Sequence, residues 1–293
     1  MLHYIGTGIN YTNDSSITPL TKCVSDVELA AAYFDTLGFC SLLLRNEQAT
    51  GFNIARAINN ARALAANVTD PSIVIYHQSS HGLQVRDRDG DEPDGMDEAV
   101  CTYDTYWDNK ENEWQHVLTD DEFHKLFSDF PPSVLVLGIF DTCHSGSISR
   151  TILPNRRYAY RRDGSDHAAL PGGAVPVSAN RRQSRDGFIE TSFPYVILAG
   201  ASSDGYSYED RLGGLLTRSL ISELRTEAKP PSLLQSIASI LRFRAPGMAR
   251  SAIDGAPAFP SRKSLIKNII RRIRAAGYHD QTPHYECTKH NFT

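Results

Sequence analysis

The stretch VLVLGIFDTCHSG, residues 134–146, decides how the rest of the chain is read. Its apolar run shows no polar alternation and stops abruptly at Asp141. A short unbroken run of this kind is a strand buried on both faces, as in the centre of a parallel sheet. Asp141, Cys143 and His144 then crowd into four positions. In open α/β sheets, sites gather just past the carboxyl ends of the strands. A thiol placed there is a packed cysteine, a metal ligand or a nucleophile.

The flanking sequence supports an α/β fold. Strand patterns at 2–9, 40–45, 72–76 and 133–140 alternate with helix patterns at 25–39, 51–67 and 119–130. Such alternation predicts a mostly parallel sheet covered by helices on both faces. Ser25 or Asp26 is the expected N-cap of the first helix, and Gly38 its stop. In the second helix the apolar positions are 54, 57, 58, 61 and 64. Thr119, followed by acidic residues, opens the third. Residues 150–187 carry arginine pairs with Gly, Pro and Ser and read as a long loop. A fifth strand follows at 193–200, then helices at 213–227, 231–245 and 264–277. The last is basic and amphipathic, which suits a surface helix, a partner-docking helix or a membrane-surface contact.

Composition narrows the function classes. The 293 residues are 41% hydrophobic and 22% charged, with net charge −4. A chain without basic excess is not a general nucleic-acid binder. Five widely spaced cysteines without a CxxC pair make neither a disulfide scaffold nor a zinc ribbon. No apolar run approaches the roughly 18 residues a membrane span needs. The opening residues lack the basic and apolar regions of a signal peptide. The expectation is a cytoplasmic protein with no membrane partner.

A second strand end completes a chemical pair. SIVIYHQSSHG, residues 72–82, delivers His81 just past another unbroken apolar run. Adjacent strands lie about 4.8 Å apart, so side chains leaving neighbouring ends can meet. A thiol becomes a strong nucleophile when a histidine takes its proton. Gly82 and Gly146 follow the two motifs and let backbone N–H groups approach a substrate. The N–H groups of Gly82 and Cys143 are the oxyanion-hole candidates. A metal site is the competing reading, drawing on His77, His81, Cys101, His116, His124, Cys143 and His144. His77 and His81 have i, i+4 spacing, but that suits a helix and this segment reads as a strand end.

At these residues the chain is similar to the caspase/metacaspase clan of cysteine peptidases. SIVIYHQSSHG resembles the clan's strand–His–Gly segment, and SVLVLGIFDTCHSGS its Asp-x-Cys-His-Ser-Gly segment. RDGDEPDGMDEAV (88–100), TDDEF (119–123), VILAGASSDGYSYED and GGLLTRSL follow in the clan's order. The likeness spans roughly residues 2–227. It implies a caspase-like fold, a mostly parallel six-stranded sheet between helices. Residues 1–149 then correspond to a large-subunit region, 150–187 to a linker and 188–293 to a small-subunit region, within one domain.

The resemblance further implies a cysteine endopeptidase with Cys143 as nucleophile and His81 as general acid/base. Metacaspases cleave after Arg or Lys, and carrying their primary pocket over by motif names Cys23, Asp26, Ser79 and Asp141. Asp204 is a further acidic candidate. Chemistry agrees for Asp141. A carboxylate beside a thiol raises the thiol's pKa, which is useful only where a cationic substrate neutralises it. The simpler alternative makes Asp141 a local cap or turn residue.

Calcium enters through the same resemblance. Many metacaspases bind it through carboxylates matching Asp97, Asp120 and Asp121, plus an acid just after the catalytic loop, where this chain has Arg150. A cation there repels calcium and removes a ligand, so no cofactor and weak or absent calcium dependence are expected. Asp87, Asp89, Asp91 and Glu98 also fall on an EF-hand pattern, but Glu92 replaces the glycine of its turn. The segment reads better as an acidic hairpin tip. Ser80 replaces the clan's usual Gly before the histidine.

The loop 150–187 holds Arg156, Arg157, Arg161, Arg162, Arg181, Arg182 and Arg185, in a chain whose inferred pocket takes Arg. Processing there, by the chain itself or by an upstream protease, is one expectation; a solvated basic linker is the other. Two further readings are a catalytically silent adaptor, binding partners through the basic loop and helix, and a cysteine hydrolase of a non-peptide bond.

Overall fold

The computed structural model describes residues 1–68, 72–88, 95–142, 144–145, 188–190, 195–201, 204–205, 207–227 and 262–287. The main sheet uses β1 (Leu2–Gly8), β2 (Cys40–Arg45), β3 (Ser72–Ser79) and β7 (Val134–Asp141) from the first half of the chain. From the second half come β9 (Phe188–Glu190), β10 (Val196–Ala199) and β14 (His284–Cys287). The order across the sheet is β2-β1-β3-β7-β10-β14-β9. Every neighbouring pair is parallel except β10 with β14.

Among the described residues the sheet therefore has seven strands, against the six that the resemblance implies. The extra strand is β9, three residues long, added beside β14. Neither β9 nor β14 is long enough to show a hydrophobic period. Because β10 pairs with β7, one sheet runs through the regions on both sides of residues 150–187, which themselves lie outside the described residues.

Among the described residues, five α-helices cover the faces: α1 (Cys23–Asp35), α2 (Gly51–Ala66), α3 (Asp120–Ser128), α4 (Leu215–Glu227) and α5 (Arg262–Ala275). The period of two along a strand sorts the core. Ile73, Ile75, Leu135 and Ile139 face α1, α4 and α5. Val74, Tyr76, Val134, Val136 and Phe140 face α2 and α3. The same alternation carries Ser79 and Asp141 to the α1/α4 face. Those two residues are register partners on adjacent strands.

The helix ends refine the sequence reading. Thr119 caps α3 with a reciprocal bond from Glu122, as its acidic opening suggests. Thr50 caps α2, and Ala65 rather than Leu64 is buried near its end. The expected cap of α1 is wrong. The helix begins at Cys23, two residues before Ser25, so Asp26 lies inside the first turn and accepts from Ser79 and Gly214 instead. Gly38, at φ +86°, closes the chain reversal after α1. The expected helix at 231–245 lies outside the described residues.

A separate antiparallel sheet, β4 (Gly82–Arg86), β5 (Met96–Asp108) and β6 (Glu113–Thr119), follows β3. Its core is built around Leu83, Val85, Cys101 and the edge-on pair Trp107 and Trp114. The β4–β5 hairpin flanks the acidic segment with strands, where an EF-hand would need helices. Residues 89–94 themselves lie outside the described residues.

The basic helix α5 is a surface helix. Leu265, Ile266, Ile269 and Ile273 are buried in the main core, while Lys267, Arg271 and Arg274 face outward. Buried Glu223 of α4 pairs with Arg272 and accepts from Asn268 Nδ2 at 3.0 Å. The apolar stripe is thus consumed by the fold. No helix among the described residues is long and apolar enough to cross a membrane.

Candidate active site

Parallel pairing of β3 with β7 brings the two motifs to one end of the sheet. The last paired residues are Ser79 and Asp141. His81 and Cys143 each follow a partner of that pair by two positions. His81 is nearly buried, and its Nε2 lies 2.7 Å from the Thr18 carbonyl oxygen. A carbonyl only accepts, so Nε2 carries the proton and Nδ1 is the basic nitrogen. The His81 carbonyl in turn accepts from Cys101 N–H at 2.9 Å, which fixes the turn into β4. Gly82 opens that strand, opposite Val100.

Cys143 lies outside the described residues. The chain on either side is described. Thr142 is buried, and β8 (His144–Ser145) pairs antiparallel with β11 (Asp204–Gly205). That pairing sets the Asp204 backbone opposite Ser145. The Asp204 side chain lies outside the described residues, as do Arg150 and the loop arginines at 156, 157, 161, 162, 181, 182 and 185.

Three of the proposed pocket residues converge. Asp26 reaches from α1, and its Oδ2 accepts from Ser79 Oγ at 3.0 Å. Its Oδ1 accepts from Gly214 N–H at 2.8 Å. Asp141 Oδ1 accepts from Ser207 Oγ at 2.7 Å. Asp141 Oδ2 accepts from Thr217 N–H at 2.9 Å and from Thr217 Oγ at 2.7 Å. Both carboxylates are buried. Cys23 is buried as well, one turn before Asp26 on the same helix. Asp141 does have a capping role, but in a distant element: Thr217 N–H belongs to the first turn of α4, whose donors have no intrahelical partner.

A hydrogen-bonded chain backs this cluster. Thr217 Oγ donates to Asp141, so it accepts from His77 Nε2 at 3.0 Å. That leaves His77 Nδ1 to accept from Tyr4 OH at 2.8 Å. Burial, and then the charges of Asp26 and Asp35, push the Tyr4 pKa well above its ordinary value, which keeps it a donor. His77 is therefore engaged by Tyr4 and Thr217 and stands apart from a metal set.

Cys101, His116 and His124 also have other engagements, while the side chains of Cys143 and His144 lie outside the described residues. Burial pushes the Cys101 thiol far above its ordinary pKa, so it is neither a ready thiolate nor a ready ligand. His116 Nδ1 pairs with Asp104 at 3.2 Å, and His124 Nδ1 bonds Tyr195 OH at 2.7 Å. Asp97 is buried on β5, while Asp120 and Asp121 open α3. The described residues assemble no group of three His, Cys, Asp or Glu able to hold a metal ion.

Sequence reasoning missed Thr18, Ser207, Gly214 and Thr217. Thr18 acts through a backbone atom, which no residue type advertises. The other three sit in the segment resembling the clan's small-subunit region, but nothing local marks them as partners of Asp26 and Asp141.

A family model described as the caspase domain matches residues 7–287. The chain belongs to the caspase-domain family. Among curated relatives of this caspase-domain protein, metacaspase-1A of Aspergillus fumigatus is 28% identical over 209 residues, covering 68% of this chain and 48% of the relative. Metacaspase-1A of Aspergillus clavatus is 32% identical over 208 residues, covering 68% and 46%. The chain thus spans about half the length of these curated relatives. A solved structure from Geobacter sulfurreducens matches with a TM-score of 0.62 at 22% identity, covering 100% of this chain and 96% of that one. Caspase-1 from Spodoptera frugiperda matches with a TM-score of 0.51 at 12% identity, covering 98% and 87%. At these identities the two structures support the caspase-like α/β fold alone.

Proposed function

We propose that this caspase-domain protein is a cysteine endopeptidase that cleaves after Arg or Lys. The observation that carries the reading is the pair of buried carboxylates, Asp26 and Asp141, gathered around Ser79 beside the strand ends that lead to His81 and Cys143. Two anions placed beside a nucleophilic thiol suit a cationic substrate side chain, and a planar guanidinium matches carboxylates bidentately. Cys23 and Asp204 complete the proposed pocket.

In the proposed reaction His81 Nδ1 takes the Cys143 thiol proton and the thiolate attacks the scissile carbonyl carbon. The N–H groups of Gly82 and Cys143 stabilise the resulting oxyanion. The C–N bond breaks, the amine leaves with the proton from His81, and a thioester remains. Water, deprotonated by His81, then attacks the thioester, releasing the acid and restoring the thiol. The Thr18 carbonyl supports the positive charge that His81 carries between these steps.

Fluorogenic peptides ending in Arg, Lys or Asp, assayed on wild type and Cys143→Ala, test the reading. Arg turnover that disappears in the mutant supports it. No turnover, even after trypsin nicking, favours the silent adaptor.

Regulation by cleavage within 150–187 belongs to the same proposal, since an Arg-directed pocket and an Arg-rich connection occur in one chain. An upstream protease is the alternative source of the cut. Intact mass of purified wild type and Cys143→Ala decides: intact chains in both, with wild type fully active, remove obligatory processing. Calcium is proposed to matter little, because Arg150 replaces the expected acid. Many-fold activation by calcium, reversed by chelator, overturns that.

A further inference from the structure

Helix α1 has no cap of its own: its N-cap position, Lys22, makes no side-chain capping bond. Its leading amides are satisfied from outside. Glu209 Oε1 accepts from Thr21 N–H at 3.0 Å and from Thr21 Oγ at 2.9 Å, and Glu209 Oε2 accepts from Lys22 N–H at 3.2 Å. Asn10 Oδ1 accepts from Val24 N–H at 3.1 Å. Glu209 lies 188 residues from Thr21 and is buried. A carboxylate at a helix N-terminus meets both the unpaired amides and the positive end of the helix dipole.

Glu209 belongs to the hairpin of β12 (Glu209–Asp210) and β13 (Gly213–Gly214), where it pairs directly with Gly214. Gly214 N–H donates to Asp26. One cross-strand pair therefore grips the first turn of α1 at both ends, Glu209 at Thr21 and Lys22, Gly214 at Asp26. The hairpin is itself anchored. Tyr208 N–H donates to Gln281 Oε1 at 3.2 Å, and Gln281 Nε2 donates to Gly200 O at 3.0 Å, tying the hairpin base to the end of β10. Gly213 has φ +134°, and a Cβ there would stand 2.5 Å from Asp26 Oδ1, so the grip closes only over glycine.

The gripped segment serves both halves of the site. Thr18, three residues before Thr21, holds His81 through its carbonyl, and Asp26, five residues after Thr21, faces Ser79. We propose that Glu209 is a positioning residue for both: it holds residues 18–26 in the register at which the Thr18 carbonyl meets His81 and Asp26 meets Ser79. The consequence for catalysis rests on the peptidase reading above; the grip itself does not.

Full-length Glu209→Ala, Glu209→Gln and Glu209→Asp, with Asp210→Asn as a control in the same hairpin, separate the two levels. Amide hydrogen exchange reads the grip without any activity. In Glu209→Ala, amides of residues 18–26 should exchange about fivefold to tenfold faster, the scale of a lost cap, while β3 and β7 stay protected. Kinetics on Arg peptides should show a higher KM and lower kcat. The acid limb of the pH profile should move to lower pH, because a displaced Thr18 carbonyl no longer stabilises protonated His81. Glu209→Gln, which keeps an acceptor for Thr21, should recover part of each effect, and Asp210→Asn should leave all three unchanged. If Glu209→Ala does not fold, Gln and Asp carry the test. Unchanged exchange at 18–26 overturns the grip. Faster exchange with wild-type kinetics and pH profile overturns its role in positioning. If wild type itself leaves Arg peptides uncut, the peptidase reading falls, and the exchange result still decides whether Glu209 holds the segment.

Discussion

Replacing Asp26 by Asn removes a charge from the proposed pocket with little change of shape. Asp26 Oδ1 accepts from Gly214 N–H, and Oδ2 accepts from Ser79 Oγ. An Asn can turn its oxygen to Gly214 and its NH2 to Ser79 Oγ, whose hydroxyl accepts as readily as it donates. Both protein contacts survive, so the folding cost should be about 1 kcal/mol, a few degrees in Tm. Removing one partner of a desolvated charge pair costs about 2–5 kcal/mol, which lowers kcat/KM for Arg substrates about 30-fold to several thousandfold. The control is a citrulline peptide, which has the shape of Arg without its charge. Wild type should discriminate strongly between the two, and Asp26→Asn should discriminate little. Asp26→Ala differs again, since it strands a buried N–H and a buried hydroxyl and should also lose stability. The reasoning fails if Asp26→Asn keeps wild-type kcat/KM on Arg. It fails equally if Arg and citrulline turnover fall together, because Asp26 is then a structural carboxylate.

Alkaline pH should loosen the packing of α1 on α4. Tyr33 OH donates to the Leu224 carbonyl at 3.1 Å, and burial pushes its pKa up to about 12. Below pH 10 both folded and unfolded chains hold the proton and the contribution is complete; between 10 and 12 the unfolded chain releases it first, so stability falls. Urea midpoints at pH 9 and 11, read with tyrosinate absorbance, should show the drop; a flat midpoint refutes it. Gly138→Ala should destabilise by about 1–3 kcal/mol through overpacking, since its Cβ would stand 2.7 Å from Ile197 Cδ1 and 2.8 Å from Phe140 Cε2. An unchanged Tm counts against that packing. Nicking within residues 150–187 with trypsin should leave the two fragments together on gel filtration without denaturant, because β7 and β10 pair inside the sheet. Separated fragments would contradict that topology.

The parts legible in the sequence are those whose information is local. β3 and β7 are buried along nearly their whole length and leave a continuous apolar signature. α3 announces itself through Thr119 and Glu122. The pairing of Ser79 with Asp141, at the two strand ends that lead to His81 and Cys143 in sequence, follows from two apolar runs. Of the antiparallel sheet of β4, β5 and β6, only the acidic hairpin tip is legible in the sequence. β5 shifts register between Cys101 and Tyr106, which breaks the alternation a long strand would otherwise show. Asp26 looked like a cap because an acid near a helix start usually is one. Its actual partners, Ser79 and Gly214, are 53 and 188 residues away, and no local pattern encodes them.

The same nonlocality explains how the candidate site is held. Three buried carboxylates each accept from donors on the opposite side of residues 150–187 in sequence. Asp26 takes Gly214 N–H, Asp141 takes Thr217 N–H and Ser207 Oγ, and Glu209 takes the amides of Thr21 and Lys22. One of these exchanges meets a first-turn amide of α4, and another meets the two residues that lead into α1. Helix-start amides cannot find partners within their own helix, so a carboxylate arriving from elsewhere is both a cap and a tether. Burial makes the tether specific, since an unmatched carboxylate or amide there would cost more than the bond returns. Asp26, Asp141 and the ends of β3 and β7 therefore take their places when the two regions dock in one register. For the proposed site, the contacts to follow are therefore those by which the two regions meet.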